Sequence, residues 1–326
     1  MNSFRVSKNK IITFFTIIIV FFIALVVSNR GEYVDNDYLA YEIMFDDYKS
    51  TNVEPMYKII SMIVHSMNFD FTLLLFIFCF FSILLKIYAL ILAKKDRIVE
   101  GEGFIYFLLF YFFCFFALWD LTQIRASLSI SFLMISFFVI NLYKSIFFKI
   151  LALVSHYSIS FVLIFDFIYY ITRRNIFLHI LISICFCFFL YFLIGFTPYA
   201  VYDVTSYSEK FNPISFKNIF LIITFFLIYF TYKENWSNGI LVRKLSALSI
   251  SLLIMYYIFG LKYPSVAIRV SDLSLFFGLL SLTFVRVNSI LILYKYIVLI
   301  ILSIYFTYSF YFSGSPIIRL DQWGLK

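Results

Sequence analysis

Residues 71–85 read FTLLLFIFCFFSILL, an apolar run interrupted only by the small hydroxyls of Thr72 and Ser82. A membrane-barrel strand alternates apolar and polar side chains over about ten residues. This run does not alternate. A helix satisfies its backbone N–H and C=O groups within the segment, so a continuous apolar run reads as a membrane-crossing helix. Residues 11–27, IITFFTIIIVFFIALVV, have the same character. They follow Arg5, Lys8 and Lys10, and no small-residue cleavage site follows Val27. A first helix with a cytoplasmic amino end is therefore expected, rather than a removed signal peptide.

Outward from these two runs, with the second extended to 71–93, further spans are predicted at 103–119, 126–142, 176–194, 218–232, 245–259, 270–285 and 289–312, giving nine crossings. Composition agrees. Of the 326 residues, 63% are hydrophobic and 13% charged, where a soluble domain carries about 45–50% and about 25%. A water-soluble fold is excluded. The expected class is all-α: a polytopic helical membrane protein of about nine to eleven transmembrane helices, forming a single integral membrane domain over residues 1–326. Two longer loops, at about 28–70 and 195–217, are expected on the periplasmic side.

Segment 145–171 breaks the pattern. Lys144 and Lys149 lie at its start, Arg173 and Arg174 after its end, and His156 near its middle. One crossing would put the arginines opposite the other basic clusters, and two full crossings need about 40 residues, more than the segment has. A short or re-entrant hairpin with His156 near its tip meets both constraints. Irregular backbone at such a tip is tolerated only where it is buried in protein or lines a wet cavity. With that hairpin, the clusters at Lys94, Lys144, Arg173 and Arg243 all fall on the cytoplasmic side, as the positive-inside bias requires. The net charge of +8 then reflects topology, and the scattered basic residues call for no nucleic-acid partner.

The first long loop interleaves Asp35, Asp37, Glu42, Asp46, Asp47 and Glu54 with Tyr33, Tyr38, Tyr41, Tyr48 and Tyr57. The second carries Tyr199, Tyr202, Asp203, Tyr207 and Glu209. Carboxylates accept hydrogen bonds from sugar hydroxyls, and aromatic faces cover the apolar faces of sugar rings. Tyr41 and Tyr57 are the candidate sugar contacts, set against a solvated loop with interfacial aromatic anchors. Asp35-Asn36-Asp37 has the form of a divalent-cation pair in a nucleotide-sugar transferase, but such donors are cytoplasmic and this loop is expected outside. Cys79, Cys114, Cys185 and Cys187 lie in apolar runs, and His65, His156 and His179 lack zinc-site spacing. Neither a metal nor another cofactor is expected.

Residues 119–125, WDLTQIR, join two spans on the outer face. Gln123 and Arg125 lead straight into the span from 126. A helix amino end favours anions, so a cation there calls for another partner. A phosphate or diphosphate fits, because guanidinium binds it bidentately and the helix end also attracts it. Snorkelling to lipid headgroups is the alternative. Arg269 is placed at the equivalent depth, before the span from Val270, with Asp272 one turn on as a candidate partner.

The ordered set Asp37-x-x-x-Tyr41, Glu54-Pro55-x-Tyr57, Gln123-x-Arg125 and Ser155-His156-Tyr157-Ser158 resembles the EpsG/Wzy group of bacterial polysaccharide polymerases. The resemblance covers roughly residues 30–175, and more weakly Arg269 onward. It implies a glycosyltransferase of the inner membrane, working at the periplasmic face on undecaprenyl-diphosphate-linked repeat units to make O-antigen or a related polysaccharide. Arg125 and Arg269 would then hold the diphosphate, with Gln123 orienting it. Glu54 or Asp37 would be the general base. Glu54 is favoured because Pro55 biases it toward an extended conformation just before a helix. His156 would contact the diphosphate or relay a proton. The expected partners are the lipid-linked glycans, membrane lipids and a chain-length regulator protein, although no segment specifies the last.

Two other functions compete. A lipid-linked oligosaccharide flippase or transporter would need charged residues along a path through the bundle, whereas the mid-span charges are only Lys86, Asp166 and Lys295. A membrane acyltransferase acting on surface polysaccharide would use a histidine near an arginine or aspartate, which His156 leaves open.

Overall fold

The computed structural model describes residues 8–95, 101–172, 175–196, 211–233, 236, 238–286 and 289–323. Among these the chain forms thirteen α-helices. Arg173, Arg174 and the tyrosines and carboxylates of the second long loop lie outside the described residues.

The helices are α1 (Lys8–Ser28), α2 (Tyr38–Asp46), α3 (Pro55–Ser66), α4 (Phe71–Lys95), α5 (Gly101–Tyr111), α6 (Ile124–Phe138), α7 (Leu142–Ser155), α8 (Ile159–Ile171), α9 (Ile176–Ile194), α10 (Phe216–Thr231), α11 (Gly239–Phe259), α12 (Pro264–Thr283) and α13 (Ser289–Thr307). α5 runs on into a π-helical stretch, Phe112–Thr122. Six described helices are long and apolar enough to cross a membrane: Phe71–Lys94, Gly101–Thr122, Ile176–Ile194, Gly239–Phe259, Pro264–Thr283 and Ser289–Phe312. Thr13–Ser28, Ile124–Phe138, Ile159–Ile171 and Phe216–Thr231 are apolar but shorter. The chain is a polytopic helical membrane protein.

Several boundaries differ from the sequence reading for local reasons. The span expected at 126–142 ends at Phe138, because Asn141 caps a new helix by accepting from the Lys144 backbone N–H at 3.1 Å. The span expected from Val270 begins at Pro264, which suits a first helical position. Arg269 therefore sits in the second turn of α12, not at its start. Segment 145–171 becomes α7 and α8, broken at His156, whose backbone is extended at φ −161° and ψ 119°. With 14 and 13 residues, each is only about 20 Å long at about 1.5 Å per residue. The first long loop contains two helices, α2 and α3.

The chain divides into two compact units. The first comprises residues 1–96, 111–159 and 301–326. In it α4 packs against α1 and α6, α6 against α7, and α3 against both α4 and α7. Tyr38, Tyr41, Phe45, Tyr57, Phe71 and Phe78 are the aromatic members of its hydrophobic core. After α13 the chain returns to the start of the first long loop. Ile318 forms an antiparallel bridge with Asp35, and the Arg319 N–H donates to the Val34 carbonyl at 2.8 Å. Gly31 permits this approach, since a Cβ there would lie 3.2 Å from the Gln322 carbonyl oxygen.

The second unit comprises residues 97–110 and 160–300. Its centre is α12, buried along almost its whole length, whereas α9 is largely exposed. α11 and α12 are joined by reciprocal bonds: Ser249 Oγ donates to the Ser274 carbonyl at 2.8 Å, and Ser274 Oγ to the Ser249 carbonyl at 2.7 Å. Small residues and hydroxyls of this kind hold helices together where lipid removes the hydrophobic driving force.

Each mid-span charge singled out in the sequence has an opposite charge beside it. Lys86 lies 3.5 Å from Asp120 in the first unit. In the second, Asp166 pairs with Lys244 at 2.5 Å, and Lys295 with Glu102 at 3.3 Å.

Candidate functional site

Glu54 is the N-cap of α3, at φ −61° and ψ 145°, with Pro55 in the first turn. The extended conformation is the one a following proline favours. Its carboxylate makes no bond to its own helix and turns into the first unit. There Oε2 accepts from Arg125 Nη1, and Oε1 lies 2.8 Å from His156 Nδ1. Three segments separated by 71 and 102 positions thus meet on one carboxylate.

Arg125 lies in the first turn of α6, just past the junction at Gln123, where the backbone departs from helix at φ −85° and ψ 60°. The Gln123 N–H still donates to the Leu118 carbonyl at 2.9 Å, a π-type bond. The Arg125 guanidinium lies over the rings of Tyr41 and Tyr57, with centroids at 5.1 and 5.8 Å. Its Nε is buried without a hydrogen-bond partner among the described residues. His156 follows α7, which Ser129 Oγ anchors to α6 by donating to the Ala152 carbonyl at 2.5 Å. The side chains of Glu54, Arg125 and His156 are 6%, 18% and 16% exposed, so Arg125 and His156 can still touch a ligand while the carboxylate is almost covered.

Burial alone would raise the Glu54 carboxyl. The His156 hydrogen bond and the Arg125 and His156 charges outweigh it and hold the group down at about 2. A carboxylate so held, with both oxygens engaged, is a poor proton acceptor. With both oxygens engaged, Glu54 holds Arg125 and His156 together on one carboxylate. Its depressed value stabilises the fold above the ordinary carboxyl range, near 4.5, and that contribution is lost as pH falls toward about 2. Urea or thermal unfolding of Glu54→Gln should accordingly show a shallower loss of stability across that window than the wild type.

Tyr41 and Tyr57 are 5% and 0% exposed. Their faces carry the arginine, and Tyr57 Oη donates to the Tyr41 carbonyl at 2.6 Å, tying α3 to α2. They are thus a wall behind Arg125 and not an exposed platform for a sugar. Burial raises the Tyr41 phenol above its ordinary range, Arg125 opposes that, and Asp37 and Glu54 add to it. Asp37 is the N-cap of α2, and its carbonyl accepts from the Tyr41 N–H at 3.0 Å.

Asp35 does not pair with Asp37 around a cation site. Its Oδ2 accepts from Arg30 Nε at 2.6 Å with both side chains wholly buried, and its Oδ1 accepts from the Asp37 N–H at 2.9 Å. Among the described residues no three His, Cys, Asp or Glu side chains are gathered as metal ligands. His65 stacks on Phe45 at 4.1 Å, and buried His179 meets Ser251 Oγ at 2.7 Å, both packing roles. Arg269 belongs to the second unit, where Lys217 Nζ donates to Asp272 at 2.9 Å.

Sequence reasoning missed the buried partner sets of Arg30 and Asp120. A lone charge within or just beyond an apolar run was the available signal, since a charge in a membrane requires a partner.

No curated protein and no solved structure matches the chain. The model of the EpsG family matches residues 13–320. That family supports, in general terms, a membrane polysaccharide-polymerase role. With a match over nearly its whole length, the chain belongs to the EpsG family.

Proposed function

We propose that the protein polymerises undecaprenyl-diphosphate-linked repeat units at the periplasmic face of the bacterial inner membrane. The observation that carries this reading is the meeting of Glu54, Arg125 and His156 on one partly open surface. In the proposed reaction a hydroxyl oxygen of one lipid-linked unit bonds to the anomeric carbon of the growing chain. The bond from that carbon to the diphosphate breaks, and its electron pair leaves with the diphosphate. Arg125 stabilises the charge that develops there, and Gln123, at the junction before it, orients the diphosphate. His156 takes the hydroxyl proton. Because Nδ1 is on Glu54, the accepting nitrogen is Nε2, in the way a carboxylate orients a catalytic imidazole. Asp37 is the second candidate base, and Tyr41 backs the guanidinium. A chain-length regulator would act on this machinery from outside it.

The neutralised mid-span charges argue against a flippase, which would need an accessible polar path. The strain lacking this protein distinguishes the readings. Loss of polymerisation leaves a single repeat unit on its lipid anchor. Absence of all surface polymer indicates lost export, and normal chains with altered decoration indicate lost acylation.

The pH profile separates the roles of Glu54 and His156. The Glu54 carboxyl is held down at about 2, so an acid limb above the ordinary carboxyl range is assigned to the proposed base, His156. That limb should disappear in His156→Gln and persist, at lower maximal rate, in Glu54→Gln. A limb abolished only by Glu54→Gln would reverse the two roles.

A further inference from the structure

Asp120, in the π-helical stretch, is fully buried. Its Oδ1 accepts from Ser82 Oγ at 2.8 Å and Ser127 Oγ at 2.5 Å, and its Oδ2 from Tyr111 Oη at 2.5 Å. Lys86 Nζ supplies the balancing charge 3.5 Å away and donates to Ser127 Oγ at 2.7 Å and the Ser127 carbonyl at 3.2 Å. Ser131 Oγ donates to the Ser82 carbonyl at 2.8 Å. One point therefore joins α4, the end of α5, the π-helical stretch and α6.

The place of this point in the chain gives it a role. The Ser127–Asp120 bond closes a ring over residues 120–127, and that ring contains the non-helical junction at Gln123 and the Arg125 side chain. A π-helix followed by a break is a natural site of bending, and such stretches concentrate at functional sites. A fully satisfied buried network is rigid, because every departure exposes an unpaired polar group. Across the break it is reinforced by the Gln123 N–H to Leu118 carbonyl bond.

We propose that Asp120, with Lys86 as its counter-charge and Ser127 as its latch, is a positioning residue that fixes the Arg125 guanidinium where a polyprenyl diphosphate is read. This rests on the function proposed above, since it gives Arg125 a diphosphate to read. Asp120 does not touch the ligand itself.

The test compares binding of undecaprenyl diphosphate and undecaprenol to the purified full-length protein in mixed micelles. The wild type should prefer the diphosphate by about tenfold or more, the value of a charge-assisted contact, and Arg125→Ala should abolish the preference. Asp120→Asn and Ser127→Ala should each cut it toward the Arg125→Ala value while undecaprenol binding stays unchanged, a selective loss that a purely structural role would not produce. A wild-type preference in both variants overturns the proposal and leaves the function standing. If Asp120→Asn weakens both ligands equally through misfolding, Ser127→Ala decides alone, and equal weakening in both variants also overturns it. Should Arg125→Ala keep the full preference, the functional reading fails and this inference with it.

Discussion

Arg125→Ala should reduce polymer formation by on the order of 100- to 1,000-fold, the usual cost of removing a group that meets developing transition-state charge. The protein should still accumulate in the membrane, because Glu54 keeps its 2.8 Å contact with His156 and the Tyr41–Tyr57 bond does not involve the arginine. Arg125→Lys should fall between wild type and Ala. It keeps the charge but loses the planar fork that matches two phosphate oxygens and lies over Tyr41. Ladder gels of surface polysaccharide read both variants. Long chains at wild-type level in Arg125→Ala would remove the arginine from the reaction.

Lys86→Met should destabilise the first unit by about 3–5 kcal/mol, the range for leaving one member of a buried ion pair without its partner. Asp120 would remain buried with only the neutral donors Ser82, Ser127 and Tyr111. The double substitution Lys86→Met with Asp120→Asn should recover most of that loss, because no uncompensated charge is left. Thermal unfolding of the purified variants in one detergent gives both numbers. If the double variant is as unstable as Lys86→Met alone, the pair is not the source of the effect.

The sequence made the helical membrane class legible because continuous apolar runs and scarce charge leave no other economical way to satisfy the backbone. It also singled out Glu54, Arg125 and His156, each for a local reason: a proline after the carboxylate, a cation at a helix start, and a histidine in a segment too short to cross twice. It could not show that they meet, since contacts over 71 and 102 positions depend on how α3, α6 and α7 pack. The role of Tyr41 and Tyr57 changed for the same reason. An aromatic in a polar loop reads as an exposed platform until the loop is seen to fold into α2 and α3 and bury it. The π-helical stretch carries no sequence signature, because its residues are as apolar as those of the helix it continues. Helix ends were not legible from hydropathy alone; Asn141 and Pro264 set two boundaries away from where it placed them.

The most direct test uses the purified protein alone, given one defined undecaprenyl-diphosphate-linked repeat unit in lipid. Chain length and released undecaprenyl diphosphate would be followed together. The Glu54–Arg125–His156 account expects a ladder of products, one diphosphate lipid released per bond formed, and loss of both signals in Arg125→Ala. A ladder of the same length and rate from Arg125→Ala, or movement of the unchanged lipid-linked unit across the bilayer with no new glycosidic bond, would contradict it.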